Sequence, residues 1–159
     1  MSRKPTLACQ ALATVAMLSL LQLSLPASAA EEAHPHHVAV AAGGAWNDNK
    51  TAGYIGADYV YRFKNNFGAA VFIERVSGDF ELLAYGVSGG YFFENGLKIA
   101  TGLGVEKKLQ KDKTLGLIHL TAGYDWHINN WSVGPVATYD FIEDNSNTLY
   151  LGFALGYGF

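Results

Sequence analysis

Thr148-Leu149-Tyr150-Leu151-Gly152-Phe153-Ala154-Leu155-Gly156-Tyr157-Gly158-Phe159 is the stretch from which the rest of the chain can be read. Leu149, Leu151, Phe153, Leu155, Tyr157 and Phe159 occupy every second position, and Gly152, Ala154, Gly156 and Gly158 lie between them. Successive side chains of a strand leave on opposite faces, so a period of two writes one oily face and one nearly bare face.

The same alternation recurs upstream. Further strands are predicted at about 38–46, 52–63, 67–76, 80–93, 97–108, 114–127 and 131–142, and no helical periodicity competes with them. Residues 47–50, 64–66, 77–79, 94–96, 107–113, 128–130 and 143–147 carry turn and loop chemistry. Each strand has the roughly ten residues that cross a bilayer at a tilt, and an even count suits a closed barrel. The expected fold is therefore all-β, an eight-stranded antiparallel up-and-down transmembrane β-barrel. The short turns 64–66, 94–96 and 128–130 are assigned to one side of the membrane and the other connections to the opposite side.

Charge decides which face is inside. A soluble lipocalin-like barrel would send large apolar side chains inward and charges outward. Here Asp58, Arg62, Glu74, Lys98, Glu106, Lys108, His119, Asp125 and Asp140 all alternate with the oily positions and share the glycine-rich face. A cation facing lipid at mid-bilayer costs roughly 2–4 kcal/mol, so the oily face is assigned outward and these nine residues form the expected polar network of the lumen. Eight strands leave a lumen that side chains can fill. Arg62, Lys98 and Lys108 are expected to pair with Asp58, Glu74 and Glu106 in a polar, water-containing plug.

Tyr61, Phe63, Tyr91, Phe93, Tyr124, Trp126, Trp131, Tyr157 and Phe159 stand beside the short turns or the chain end. That regularity is expected of an interfacial aromatic girdle.

The amino-terminal segment reads as an address. Arg3 and Lys4 precede an apolar run over 7–25, then Pro26 and Ala27-Ser28-Ala29-Ala30. Residues 1–30 are therefore expected to be a removable secretory signal peptide, 31–37 a flexible polar leader, and 38–159 the barrel. Cys9 lies within the signal, so the barrel holds no disulfide. Beyond residue 30 there are nine basic and fourteen acidic residues, a net charge of −5 with histidines neutral. This excludes the basic footprint of nucleic-acid binding.

From residue 31 to the end, the chain resembles the small porin-like outer-membrane β-barrel proteins, whose members mostly lack an assigned activity. The signal peptide, Tyr59-Val60-Tyr61-Arg62-Phe63, Gly78-Asp79-Phe80 and the aromatic final strand carry the resemblance. It implies passage through the periplasm into a bacterial outer membrane, among outer-membrane lipids and lipopolysaccharide. It also implies that the barrel-assembly machinery reads Phe159 as its assembly signal. A monomer with a structural or envelope-maintenance role is expected, the alternative being a narrow, low-conductance channel.

Three motifs bear on chemistry. Some eight-stranded outer-membrane barrels deacylate lipid A with a Ser, a His two residues earlier and an acid. His119-Leu120-Thr121, with Asp125 or Asp140, is similar to that set. Thr121 replaces the serine and His119 is phased inward, so no catalytic residue is expected. His34, His36 and His37 are read as part of the leader rather than as metal ligands, and no metal or cofactor is expected. Lys107, Lys108, Lys111 and Lys113 concentrate charge that would suit lipopolysaccharide phosphates, although a solvated loop is the commoner explanation.

Overall fold

A computed structural model describes residues 34–110 and 113–159. The expected signal peptide 1–30, leader residues 31–33, and Lys111 and Asp112 lie outside the described residues. The elements are β1 (His36–Asn47), β2 (Lys50–Arg62), β3 (Phe67–Gly78), β4 (Leu82–Phe92), β5 (Leu97–Lys108), β6 (Lys113–Tyr124), β7 (Trp126–Ile128), β8 (Trp131–Ile142) and β9 (Thr148–Gly158).

β6 and β7 are one stave interrupted at Asp125. Gly123 faces Val136 and Trp126 faces Val133, so both pieces pair with β8 in a single register. Pro135 of β8 sits opposite the gap, and proline has no N–H to contribute to a ladder. The barrel therefore has eight staves. Every neighbouring pair is antiparallel, and the β1–β9 and β6–β8 pairings close the cylinder.

The stagger can be followed through the partners. From His36 the path runs through Tyr61, Ala69, Gly89, Thr101, Leu120, Tyr139 and Leu149, and it returns to β1 at Trp46, ten residues along. That offset tilts eight strands by about 40° and leaves an interior that side chains can fill.

Exposure follows the period of two around the wall. Val40, Ile55, Val71, Ile73, Val87, Leu103, Ile118, Leu120, Phe153 and Leu155 are exposed on the outside, and Leu103 reaches 66 %. Turn backbones fit their residues. Asp48, Asn66, Asn129 and Asn145 hold positive φ angles of 52°, 65°, 53° and 61°, and Gly96 holds 90°. Asn, Asp and Gly tolerate that region best. At the β1–β9 seam Gly43 faces Gly152, where a Cβ on Gly43 would strike the Leu151 carbonyl and one on Gly152 the Ala42 carbonyl.

Two expectations change. β1 begins at His36, so His36 and His37 belong to the barrel rather than to a flexible leader. His36 exchanges backbone hydrogen bonds with Phe159, at 2.9 and 3.2 Å, which ties both ends of the barrel together. The lumen is also not polar throughout. Val76, Phe80, Leu82, Leu115, Leu117 and Ile142 pack around Tyr54 and Tyr150 at the end remote from the short turns. The inward phase persists to the strand ends, but there the inward residues change from small or charged to branched apolar.

Leu103 pairs with Val87 and Ile118, all exposed and near mid-strand. Leu103→Lys is expected to destabilise the barrel in lipid vesicles by about 2–4 kcal/mol, as read by urea titration of tryptophan fluorescence. An unchanged midpoint would contradict a hydrocarbon-facing wall.

Candidate functional site

The inward polar residues form three tiers. Near the short turns, Lys98 Nζ donates to Asp125 Oδ1 and Oδ2 at 2.9 and 3.0 Å. β5 and β6 are neighbours with Lys98 opposite Gly123, so Asp125 is the diagonal neighbour two residues on. Arg62 lies with its guanidinium carbon 4.5 Å from the Phe92 ring centre, a cation–π contact. Asp58 also lines this tier, and His37 Nε2 lies 3.0 Å from Ser132 Oγ.

The middle tier holds a chain of hydrogen bonds. His119 Nδ1 is 2.8 Å from Asp140 Oδ1, His119 Nε2 is 2.8 Å from Thr121 Oγ1, and Thr121 is 3.0 Å from Thr138 Oγ1. β6 and β8 place His119 directly opposite Asp140. Phe72 of β3 stacks on the imidazole with ring centres 4.0 Å apart. Glu74, on the same stave, brings a carboxylate oxygen within 4.8 Å of ligand atoms on both His119 and Asp140.

The third tier borders the apolar end. Glu106 is fully buried and, among the described residues, neither of its carboxylate oxygens nor the Tyr150 hydroxyl has a hydrogen-bond partner. Lys108 turns away from Glu106 to donate to Asp144 Oδ2 at 2.8 Å and Ser146 Oγ at 2.6 Å. Those bonds from Lys108 and Ser146 hold the exposed Asp144 carboxyl well below the usual carboxylate range. Its contribution to stability is thus present at neutral pH and is lost only as pH falls through that lowered value.

The expected pairing of Arg62, Lys98 and Lys108 with Asp58, Glu74 and Glu106 is therefore not what forms. Each cation takes another partner: an acid one stave away, a ring, or the β8–β9 loop. The lysine cluster also divides, because Lys108 and Lys113 both reach Asp144, at 2.8 and 3.4 Å. Lys107 instead aligns with Arg75 on either side of Leu83. Those two cations depart from the inward rule at the barrel edge.

Aromatic residues meet in a belt at the short-turn end. Ring centres are 5.4 Å apart for Tyr61 and Phe63, 4.7 Å for Tyr91 and Phe93, 5.5 Å for Tyr124 and Trp126, and 5.0 Å for Trp131 and Tyr157. Sequence reasoning missed two members. Phe67 packs on Tyr91, and His36 lies against Tyr61 and Phe159. His36 points outward to Tyr59 Oη at 2.7 Å while His37 points into the lumen, so adjacent histidines cannot share an ion.

The order Asp140–His119–Thr121 is that of an acid, a base and a hydroxyl, with Asp140 rather than Asp125 as the acid. It faces a lumen cavity of about 90 Å³ lined by Arg62, Glu74, Lys98, Thr121 and Thr138 among others. The barrel wall separates this hydroxyl from any acyl chain outside.

A closed eight-stave wall, apolar outside and filled inside, defines the class: a small transmembrane β-barrel of the bacterial outer-membrane type. No family model matches the chain, and no curated protein matches it in sequence. Solved structures do match. Neisserial surface protein A is 18% identical with a TM-score of 0.62, over 81% of this chain and 100% of that one. The N-terminal β-barrel domain of Pseudomonas aeruginosa OprF is 13% identical with a TM-score of 0.64, over 80% of this chain and 100% of that one. The Yersinia pestis outer-membrane protein Ail is 14% identical with a TM-score of 0.51, over 77% and 99%. At these identities the likeness is one of fold.

The Lys98 and Asp125 side chains are 16% and 4% exposed. Asp125→Asn is expected to lower unfolding stability toward the lower end of about 3–5 kcal/mol. Adding Lys98→Met is expected to recover part of the loss. A double variant no better than the single one would show that the pair is not the cause.

Proposed function

We propose that this chain is an integral outer-membrane protein that serves the envelope as a closed, structural barrel and not as a conduit. One observation carries the reading: the apolar packing of Val76, Leu82, Leu115, Leu117 and Ile142 with Tyr150 across one end of the lumen. An ion crossing that layer would shed most of its water among branched apolar side chains that offer little to replace it. The segregation of apolar residues onto the outer wall supports placement in a lipid bilayer. The fold likeness to Ail and to the OprF barrel domain supports the bacterial outer membrane as that bilayer.

The contacts open to such a barrel are narrowed by its connections. The β1–β2 link spans only 48–49 and the β8–β9 loop only 143–147, which leaves little surface for a protein partner. Outer-membrane lipid, including lipopolysaccharide, is the proposed surrounding, with Arg75 and Lys107 at the edge suited to its phosphates. The barrel-assembly machinery is the proposed partner during insertion, reading Phe159, and a monomer is the proposed state. No catalysis is proposed.

Purified protein in planar bilayers is expected to leave the baseline without steady conductance steps, and its expression is expected to leave lipid A profiles unchanged. Steady, solute-sized conductance would overturn the closed-barrel reading. A lipid A change that reverts with His119→Ala would overturn the non-catalytic one.

A further inference from the structure

The middle tier contains an imbalance of charge. Glu74 is 7% exposed and Asp140 0%, and among the described residues Glu74 Oε2 and Asp140 Oδ2 have no hydrogen-bond partner. The three cations phased into the lumen are engaged elsewhere: Lys98 with Asp125, Lys108 with Asp144 and Ser146, and Arg62 over Phe92. Two buried carboxylates thus converge on one imidazole with no side-chain cation bonded to their free oxygens. Burying such charge without a counter-charge is costly, and a bound cation is one way a protein removes the cost.

We propose that Glu74, His119 and Asp140 form a binding site for a divalent transition-metal ion of the zinc class inside the barrel. One imidazole and two carboxylates are a nitrogen and oxygen donor set suited to such an ion, and their formal charge balances its own. The donor atoms already lie within 4.8 Å of one another, so small side-chain rotations bring them onto one centre. Three protein ligands leave a coordination position for water.

The surroundings fit. Metal-bound imidazoles usually make a second hydrogen bond that fixes their tautomer and orientation. With the ion on Nδ1, the imidazole proton sits on Nε2 and donates to Thr121 Oγ1, whose own hydroxyl turns to Thr138, and any proton held by the two carboxyl groups leaves to solvent as the ion binds. Phe72, stacked on the ring, fixes its plane. The cavity that reaches Glu74 and His119 extends toward the short turns past Asp58, Arg62 and Lys98, the last of these paired with Asp125, while the apolar layer borders the other side. The proposal stands independently of whether the barrel serves a structural role.

Untagged, chelator-stripped barrel in detergent is titrated with Zn²⁺ alone by calorimetry, with metal content counted after dialysis. One equivalent of saturable binding is expected. It is expected to disappear in Glu74→Gln combined with Asp140→Asn, and to persist when His34 and His36 are both changed to Ala. Thr121→Val is expected to weaken binding by about 10–100-fold. X-ray absorption of the zinc-loaded wild type is expected to show one imidazole in a nitrogen and oxygen shell, which decides the matter even if the double variant fails to fold. No saturable binding by the wild type, undiminished binding by a folded double variant, or absorption without an imidazole would each overturn the proposal.

Discussion

Inside an eight-stave barrel every inward side chain meets the opposite wall within a few ångströms, and the stagger of the strands decides which ones meet. Phe72 crosses from β3 to lie on His119 of β6, and Glu74 crosses beside it. Where a large residue crosses, its neighbours must be small. A Cβ on Gly86 would come within 2.8 Å of the Phe72 ring, and one on Gly56 within 3.3 Å of Glu74 Cγ. At these positions the glycine-rich inner face is the complement of the bulky residues that cross the lumen.

The outer surface was legible in the sequence because a single rule acts on every strand. Oily positions keep one phase from Val38 to Phe159, and the lumen residues Asp58, Arg62, Glu74, Lys98, Glu106, Lys108, His119, Asp125 and Asp140 lie on the opposite phase. What the sequence hid was partnership. Which acid Lys98 meets depends on the offset between β5 and β6, and which residue Glu74 meets depends on the offset round the whole cylinder. Neither is written in a one-dimensional period. The apolar end was readable in principle, since Val76, Leu82, Leu115, Leu117 and Ile142 continue the inward phase. It was obscured because their type matches the outward set. His36 was missed for a simpler reason: a polar run of histidines resembles a leader until its backbone is seen bonded to Phe159.

The lumen is consequently two environments in one cylinder. At the short-turn end charges are paired or set on aromatic rings around a small cavity, while at the far end branched side chains and two tyrosines exclude water. Between them lie Glu74, His119 and Asp140, with polar neighbours on one side and hydrocarbon on the other. A buried polar cluster in this position is costly unless it is fully satisfied. That cost falls on the middle tier rather than on the wall.

The facing glycines of the first and last strands have a bearing on assembly. Hairpins along the chain join near neighbours, whereas β1 and β9 must find each other across the whole sequence, the slowest kind of contact to form. With Gly43 against Gly152 the two backbones approach closely, and a slip of two residues would set Ala41 against Gly152 or Ala154 against Gly43, bringing a Cβ to the pairing that is bare in the observed register. The final closure of the cylinder thus carries its own notch, a bare pair of positions at which the two edges lie flush when aligned.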